Sequence, residues 1–299
     1  MPQSLNSAAL PEPVFTDAKH HIKIYQGDCL EILAAIPENQ VDLIFADPPY
    51  FLSNDGITCH AGRMVSVNKG QWDRSRGPGE NHDFNRAWLA AAQRVLKPNG
   101  AIWVSGTAHV IHSVGFAMQQ LGFKLLNDIS WVKPNPPPNL SCRYFTHATE
   151  TIIWAAKNKK SRHTFEYALM RKLAGGRQMK SFWGRIGFTP KEQEDLQDEL
   201  ALMDSWDLSA PGSEEKIHGK HPTQKPLALL ERIISASSKK GELVLDPFMG
   251  SGTTCLAATK LNRMFVGIEI EKDYIELFRK RFSSEINTPT PSLFAASSD

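Results

Sequence analysis

The sequence predicts an α/β protein built on a doubly wound, mostly parallel sheet, and three observations carry that prediction. Short apolar runs alternate along the chain with segments of helical length. Most of the runs are continuous rather than alternating, as in strands covered on both faces. Two of them close on short motifs rich in Asp, Pro and Gly, at the strand ends where such folds bind ligands.

Expected strands, in order, are Ile22–Gln26, Val41–Ala46, Ala101–Ser105, Leu125–Val132, Thr151–Ala155, Leu243–Asp246 and Met264–Glu269. Expected helices are Cys29–Ala35, Phe84–Leu96, Val110–Leu121, Leu227–Ser237, Thr253–Lys260 and Lys272–Phe282. In the second helix Trp88, Ala91, Ala92 and Val95 fall on one face, and Lys97-Pro98-Asn99-Gly100 is a stop signal directly before a strand. Residues 1–18 read as a flexible arm and 284–299 as a flexible tail. Two stretches break the alternation. Phe51–Asp83 has the polar, Gly-containing character of a mobile loop beside a site. Asn158–Lys220 is too long for a connection and is expected to be an inserted subdomain at 158–220, between domain halves 19–157 and 221–283.

The chain has 299 residues, enough for a large core. Lys+Arg 34 against Asp+Glu 32 leaves no partner legible in the overall charge. Locally, Lys157, Lys159, Lys160, Arg162, Arg171, Lys172, Arg177, Lys180, Arg185 and Lys191 form a block whose only acid is Glu166, followed by an acidic stretch to Glu215. Such a block is either a nucleic-acid surface or a solvated face. Cys29, Cys59, Cys142 and Cys255 form no CxxC pair, which fits a reducing cytosol and gives no zinc spacing. No apolar run approaches the ~18 residues that span a membrane. A soluble cytoplasmic protein is expected.

Asp47-Pro48-Pro49-Tyr50 follows the strand Val41–Ala46. An exocyclic amine on adenine or cytosine is a poor nucleophile because its lone pair is conjugated with the ring. The Asp47 carboxylate and the Pro48 carbonyl can each accept one of its N–H groups. That favours a pyramidal nitrogen and stabilises the positive charge that grows on it during methyl transfer. Two prolines in a row fix φ and leave their carbonyls free, Tyr50 offers a face for stacking, and no metal is required. A proline turn with Asp47 capping the next segment would use the same residues.

Asp246-Pro247-Phe248-Met249-Gly250-Ser251-Gly252-Thr253-Thr254 runs from strand to helix, and its glycines admit a close ligand. No lysine stands where a P-loop needs one. A strand later, Glu269 can take two ribose hydroxyls or only start the following helix. Asp28, with Cys29 after it, can accept from a cofactor adenine amino group or simply cap a helix.

Together with His221-Pro222-Thr223-Gln224-Lys225-Pro226, these motifs resemble the β class of S-adenosylmethionine-dependent DNA amino-methyltransferases, in the motif order of that class and over roughly residues 20–282. The resemblance implies a seven-stranded methyltransferase fold in circularly permuted order, with 158–220 as its target-recognition region. It implies S-adenosyl-L-methionine as cofactor, DNA as partner and a bacterial, nucleoid-associated setting. Asp47, Pro48, Pro49 and Tyr50 become the catalytic set. The implied cofactor contacts are Asp28, Cys29, Asp246, Pro247, Phe248, Gly250, Ser251, Gly252, Thr253, Thr254, Glu269, Thr223, Gln224 and Lys225. For the 221–226 segment, a proline-bounded helix start is the plainer reading. Asp at the first catalytic position favours adenine N6 over cytosine N4 within the family. The stretch Asn135–Phe145 looks most like the second methylase of DpnII-type systems, whose target is GATC, whereas Phe188–Glu215 matches no pattern of that group. A homodimer and a cognate restriction endonuclease stay open as further partners.

A paired base must be flipped out of the stack, or presented on a single strand, before its amine can react. Lys157, Lys160, Arg162, Arg177, Lys180 and Arg185 are the candidates for phosphate contacts, with Gln178 among the potential base readers. Phe182 and Trp183 are either wedges into the duplex or core of the small subdomain. The expected reaction is attack of the flipped adenine N6 on the sulfonium methyl. Cytosine N4, RNA or a protein amide is the alternative acceptor. A DNA-binding module that keeps the fold without turnover is the alternative of another kind.

Overall fold

The computed structural model describes residues 10–53, 57–60, 63–66, 70–133, 136, 138, 142–176, 178–183, 211–212, 214–219 and 221–286. Among them eleven strands form a nine-stranded sheet and a two-stranded hairpin. In chain order they are β1 (Phe15–Asp17), β2 (Ile22–Gln26), β3 (Val41–Ala46), β4 (Ile57–His60), β5 (Arg63–Ser66), β6 (Leu96–Gly106), β7 (Lys124–Val132), β8 (Thr149–Ala156), β9 (Phe182–Trp183), β10 (Leu243–Asp246) and β11 (Met264–Glu269). The helices are α1 (Cys29–Ala35), α2 (Pro78–Val95), α3 (Ile111–Gln120), α4 (Tyr167–Leu173), α5 (Leu227–Ser237), α6 (Thr253–Lys260) and α7 (Lys272–Glu285).

The main sheet runs β1-β2-β11-β10-β3-β6-β8-β7-β9, parallel from β2 to β6 and antiparallel around β8. Side chains alternate between its faces, as the pleat requires. Leu43 and Phe45 pack on one side with Val244, Ala101 and Trp103, under α5, α6 and α7. Ile44 and Ala46 pack on the other with Leu245, Ile102 and Val104, under α1, α2 and α3. Both faces are dry, which is why these strands read as continuous apolar runs. No described helix is long and apolar enough to cross a membrane.

All seven expected strands are present, and two short ones extend the sheet at its edges. β1 pairs antiparallel with β2, and the Phe15 ring meets Phe278 edge-on at 5.2 Å, so Phe15–Asp17 belong to the sheet and not to the arm expected over 1–18. A three-residue strand has no periodicity to read. β9 adds parallel to β7 through Ser130↔Phe182 and Trp131↔Trp183, tying part of the stretch expected to be an insertion to the sheet. α2 starts at Pro78, earlier than expected, because proline suits the first helical turn. The long loop before it contains the hairpin β4–β5 and a 3₁₀ turn at Gln71–Asp73, and is partly anchored.

Candidate active site

The sheet order explains why distant motifs meet. At the carboxyl ends of the adjacent parallel strands β2, β11, β10 and β3 stand, in that spatial order, Asp28, Glu269, Asp246 and Asp47. Four carboxylates thus line one edge about 14 Å long, at the usual spacing between strands. Above them opens a cavity with about 1080 Å³ of empty space, mouth included. It is lined by Asp28, Cys29, Asp47, Pro49, Thr223, Gln224, Lys225, Asp246, Pro247, Phe248, Gly250, Ser251, Thr253, Thr254 and Glu269. Both motifs therefore share one cavity. Pro48, Tyr50 and Gly252 are not on its wall.

At the β3 end, Asp47 Oδ1 accepts from Tyr50 Oη and from Ser105 Oγ, each at 2.6 Å, and Oδ2 accepts from Lys225 Nζ at 2.5 Å. Lys225 Nζ also lies 3.2 Å from Tyr50 Oη and 5.6 Å from its ring centroid. Tyr50 is only 5 % exposed. Its ring does not offer the free stacking face expected from sequence; it packs in the core and its hydroxyl orients Asp47. Burial, then the charges of Asp47 and Glu150, push its phenol well above the usual range, so it remains a proton donor. Burial acts to lower the Lys225 pKa, but Asp47 and Glu150 outweigh it and the ammonium is kept. Lys225, expected among the cofactor contacts, lines the cavity and is paired there with Asp47.

The turn after this motif is held by a residue the sequence reading passed over. Asp73 is completely buried, and its carboxylate accepts from Tyr50 N (2.8 Å), Phe51 N (2.8 Å), Leu52 N (3.3 Å) and Ser53 Oγ (2.8 Å). Phe51 is held at φ 58°, a left-handed conformation costly for an aromatic residue, which such bonds can sustain. Nothing local in the sequence marks Asp73, 23 residues from its partner Tyr50. Trp72 and Phe84, also unforeseen, bring aromatic surface to the cavity wall.

At the other end, Asp246 accepts from Phe248 N (3.0 Å) and Thr254 Oγ1 (2.6 Å). Glu269 accepts from Gly250 N (2.7 Å) and Glu271 N (2.9 Å), so it fixes both the glycine turn and the start of α7 while facing the cavity. Burial pushes both acids up to about 7, against the opposing pull of these hydrogen bonds. Asp28 caps α1 through Leu30 N at 2.7 Å and still reaches the cavity wall. Cys29 is buried beside it, and burial raises its thiol pKa. Gly250, at φ 54°, leaves room for His221, whose Nε2 would lie 2.9 Å from an added Cβ. Gly252 serves packing rather than ligand approach: at φ 79°, a Cβ there would meet Phe278 at 2.3 Å. Buried Arg281, also missed, donates to the Ser251 carbonyl and hydroxyl and to Thr253 Oγ1. Thr223 sits on His221 Nδ1, and Gln224 donates to the Glu215 carbonyl.

The first part of the basic block, from Lys157 to Arg162, lies away from this site. β8 runs antiparallel to β6, so Lys157 at its end lies beside Gly100, at the amino ends of the parallel strands and away from Asp47. Its ammonium is committed to Asn39 Oδ1 (2.7 Å) and the Leu96 carbonyl (2.5 Å). The exposed Lys160 and Arg162 sit at the same end through Asn158 and Asn99. Lys180 is exposed near β9, while Arg177, Arg185 and most of Phe188–Glu215 and Asn135–Ser141 lie outside the described residues. Trp183 is core: it packs on Trp103 at 5.8 Å, with the Arg232 guanidinium 4.2 Å from its ring.

The DNA methylase family model for N6 and N4 enzymes matches residues 41–280. The chain is 49% identical over 271 residues to the type II methyltransferase M2.DpnII of Streptococcus pneumoniae, covering 90% of this chain and 92% of that one. The crystal structure of the M1.HpyAVI–SAM complex aligns with TM-score 0.59 and 29% identity, over 87% of this chain and 98% of that one. The cytosine-N4-specific PvuII DNA methyltransferase, 20% identical, shares the fold with TM-score 0.63 over 91% of this chain and 89% of its own.

Proposed function

The chain belongs to the N6/N4 DNA methylase family, and from that premise we propose that it methylates adenine N6 of a base flipped out of a short DNA sequence. It is a DNA methyltransferase, and S-adenosyl-L-methionine is its cofactor. The residues present fit that cofactor. Acceptors at Asp28 and Glu269 suit adenine and ribose donors, and the Gly250 turn, held by Glu269, stands beside them on the cavity wall. When bound, the cofactor supplies an electrophilic methyl group. Asp47 accepts the amine N–H and stabilises the charge that grows on nitrogen, held for that task by Tyr50 and Ser105. Trp72 and Phe84 supply aromatic surface for the extruded base.

The observation that carries this reading is the single cavity joining Asp47 to the Gly250 turn. Asp47 at the head of the Asp-Pro-Pro-Tyr motif supports adenine. We assign target recognition to 158–220, with GATC as the first sequence to test. Long-read modification mapping of DNA from a methylation-free host expressing the chain is expected to show N6-methyladenine at one short motif. N4-methylcytosine in its place would overturn adenine, and tight DNA binding without methyl incorporation would mark a binding module. A cognate restriction endonuclease is tested by resistance of the methylated DNA to cleavage at the mapped motif, and a homodimer by sedimentation.

A further inference from the structure

We propose that Glu150 is a positioning residue for methyl transfer, taking the Lys225 ammonium from Asp47 when the target amine binds. The inference rests on the reading of Asp47 as the amine acceptor. In the structure that carboxylate is engaged on both oxygens, by Tyr50 and Ser105 on Oδ1 and by Lys225 on Oδ2. A target amine donating to Asp47 must compete with an ammonium. It must also develop positive charge beside one. Lys225 cannot retreat into water, because its side chain is only 6% exposed, and a buried charge left without a partner is strongly disfavoured.

Glu150 supplies the alternative. It is buried near the start of β8, and its Oε1 pairs with Lys133. Its Oε2 is buried without a hydrogen-bond partner among the described residues and stands 3.8 Å from Lys225 Nζ. A shift of about 1 Å brings that ammonium into hydrogen-bond range. Lys133 also lies over the Trp131 ring, 5.2 Å from its centroid, so Glu150 has a held partner on one oxygen and a vacancy on the other. Two lysines and two carboxylates make the group neutral before and after the move. The exchange frees one acceptor oxygen of Asp47 without stranding a charge.

The test is single-turnover methyl transfer with cofactor affinity measured alongside. Glu150→Ala and the near-isosteric Glu150→Gln are expected to slow transfer, Glu150→Ala on the order of 10²-fold, with cofactor affinity retained and Glu150→Asp recovering part of the loss. In a Lys225→Met background there is no ammonium to move, so Glu150→Ala should add little. Full additivity there, or a wild-type rate for Glu150→Ala beside an inactive Asp47→Ala, would overturn the proposal and leave the Asp47 reading intact. An active Asp47→Ala would instead overturn that reading. If Lys225→Met has no measurable rate, a ternary structure with DNA and an unreactive cofactor analogue decides. Lys225 on Glu150 supports the exchange, and Lys225 still on Asp47 with Glu150 Oε2 vacant removes it.

Discussion

Asp47 and Lys225 stand 178 positions apart in the chain and meet at 2.5 Å in a buried ion pair. The contact joins the motif that closes β3 to the segment that precedes α5, so the Asp47 carboxylate is oriented by a residue from late in the chain. Asp47→Ala is expected to abolish methyl transfer while leaving cofactor affinity largely intact, because Glu269, Asp28 and the Gly250 turn do not depend on it. Filter-bound methyl incorporation and calorimetric cofactor titration measure the two separately. Parallel loss of both would contradict this division of labour.

Asp73 gathers donors from four consecutive residues, Tyr50 to Ser53. Asp73→Ala leaves buried N–H groups without an acceptor, each at a cost of about 1–3 kcal/mol. A lower melting temperature and a large fall in turnover are expected together, with Asp73→Asn intermediate because one carbonyl oxygen remains. A variant with unchanged unfolding and unchanged turnover would show that the Pro-Pro turn holds itself.

Gly252→Ala places a methyl 2.3 Å from the Phe278 ring at φ 79°. Left-handed backbone alone costs roughly 1–2 kcal/mol for a residue with a Cβ, and α7 must shift as well. Chemical denaturation should therefore report a loss exceeding about 2 kcal/mol. The same method applied to Gly250→Ala should show a smaller loss, since a His221 side chain can move aside more easily than a core phenylalanine.

The course of β8 carries Lys157, Lys160 and Arg162 away from Asp47. Neutralising Lys160 and Arg162 together is expected to leave the salt dependence of DNA affinity unchanged, because both lie at the end of the sheet away from Asp47. Removing Lys180 should lower the slope of log affinity against log salt by about 1. A flattened slope in the Lys160/Arg162 variant would put DNA on the wrong face for this site.

Asp246 and Glu269 are held at about 7, above their ordinary values of 3.8 and 4.5. For a carboxylate raised on folding, the folded chain binds more protons than the unfolded one between those limits. Their contribution to stability is therefore greatest below about pH 4 and declines as pH rises to about 7. Urea unfolding across that range should give a steeper decline for wild type than for Glu269→Gln, which cannot titrate. Cofactor affinity should move oppositely and rise toward pH 7, as the carboxylates gain the charge that accepts hydroxyl and amine donors.

Much of this protein was legible in its sequence because the signals are local. Mostly apolar runs mark β3, β10 and β11 to the residue, since a strand covered on both faces is apolar at most positions, and β2 shows its inner face through Ile22 and Ile24. An acid, Pro or Gly directly after such a run marks the ligand side of the sheet. That was enough to name Asp47, Asp246, Glu269 and Asp28. The assignments that changed all depended on what distant segments bring. Tyr50 looked like a stacking face until Lys225 and Asp73 enclosed it, and Lys157 looked like a phosphate contact until the antiparallel course of β8 carried it to the opposite end.

What the chain determined by itself is therefore the set of strands, the turns that follow them and the chemistry those turns carry. Tertiary structure alone decided that β11 and β10, from the end of the chain, pair between β2 and β3 from its beginning. Strand pairing is set by hydrogen bonding and packing between segments far apart in sequence, and periodicity within a segment carries no record of its neighbour. That pairing order sets Asp28, Glu269, Asp246 and Asp47 side by side, and turns four separate strand ends into one site.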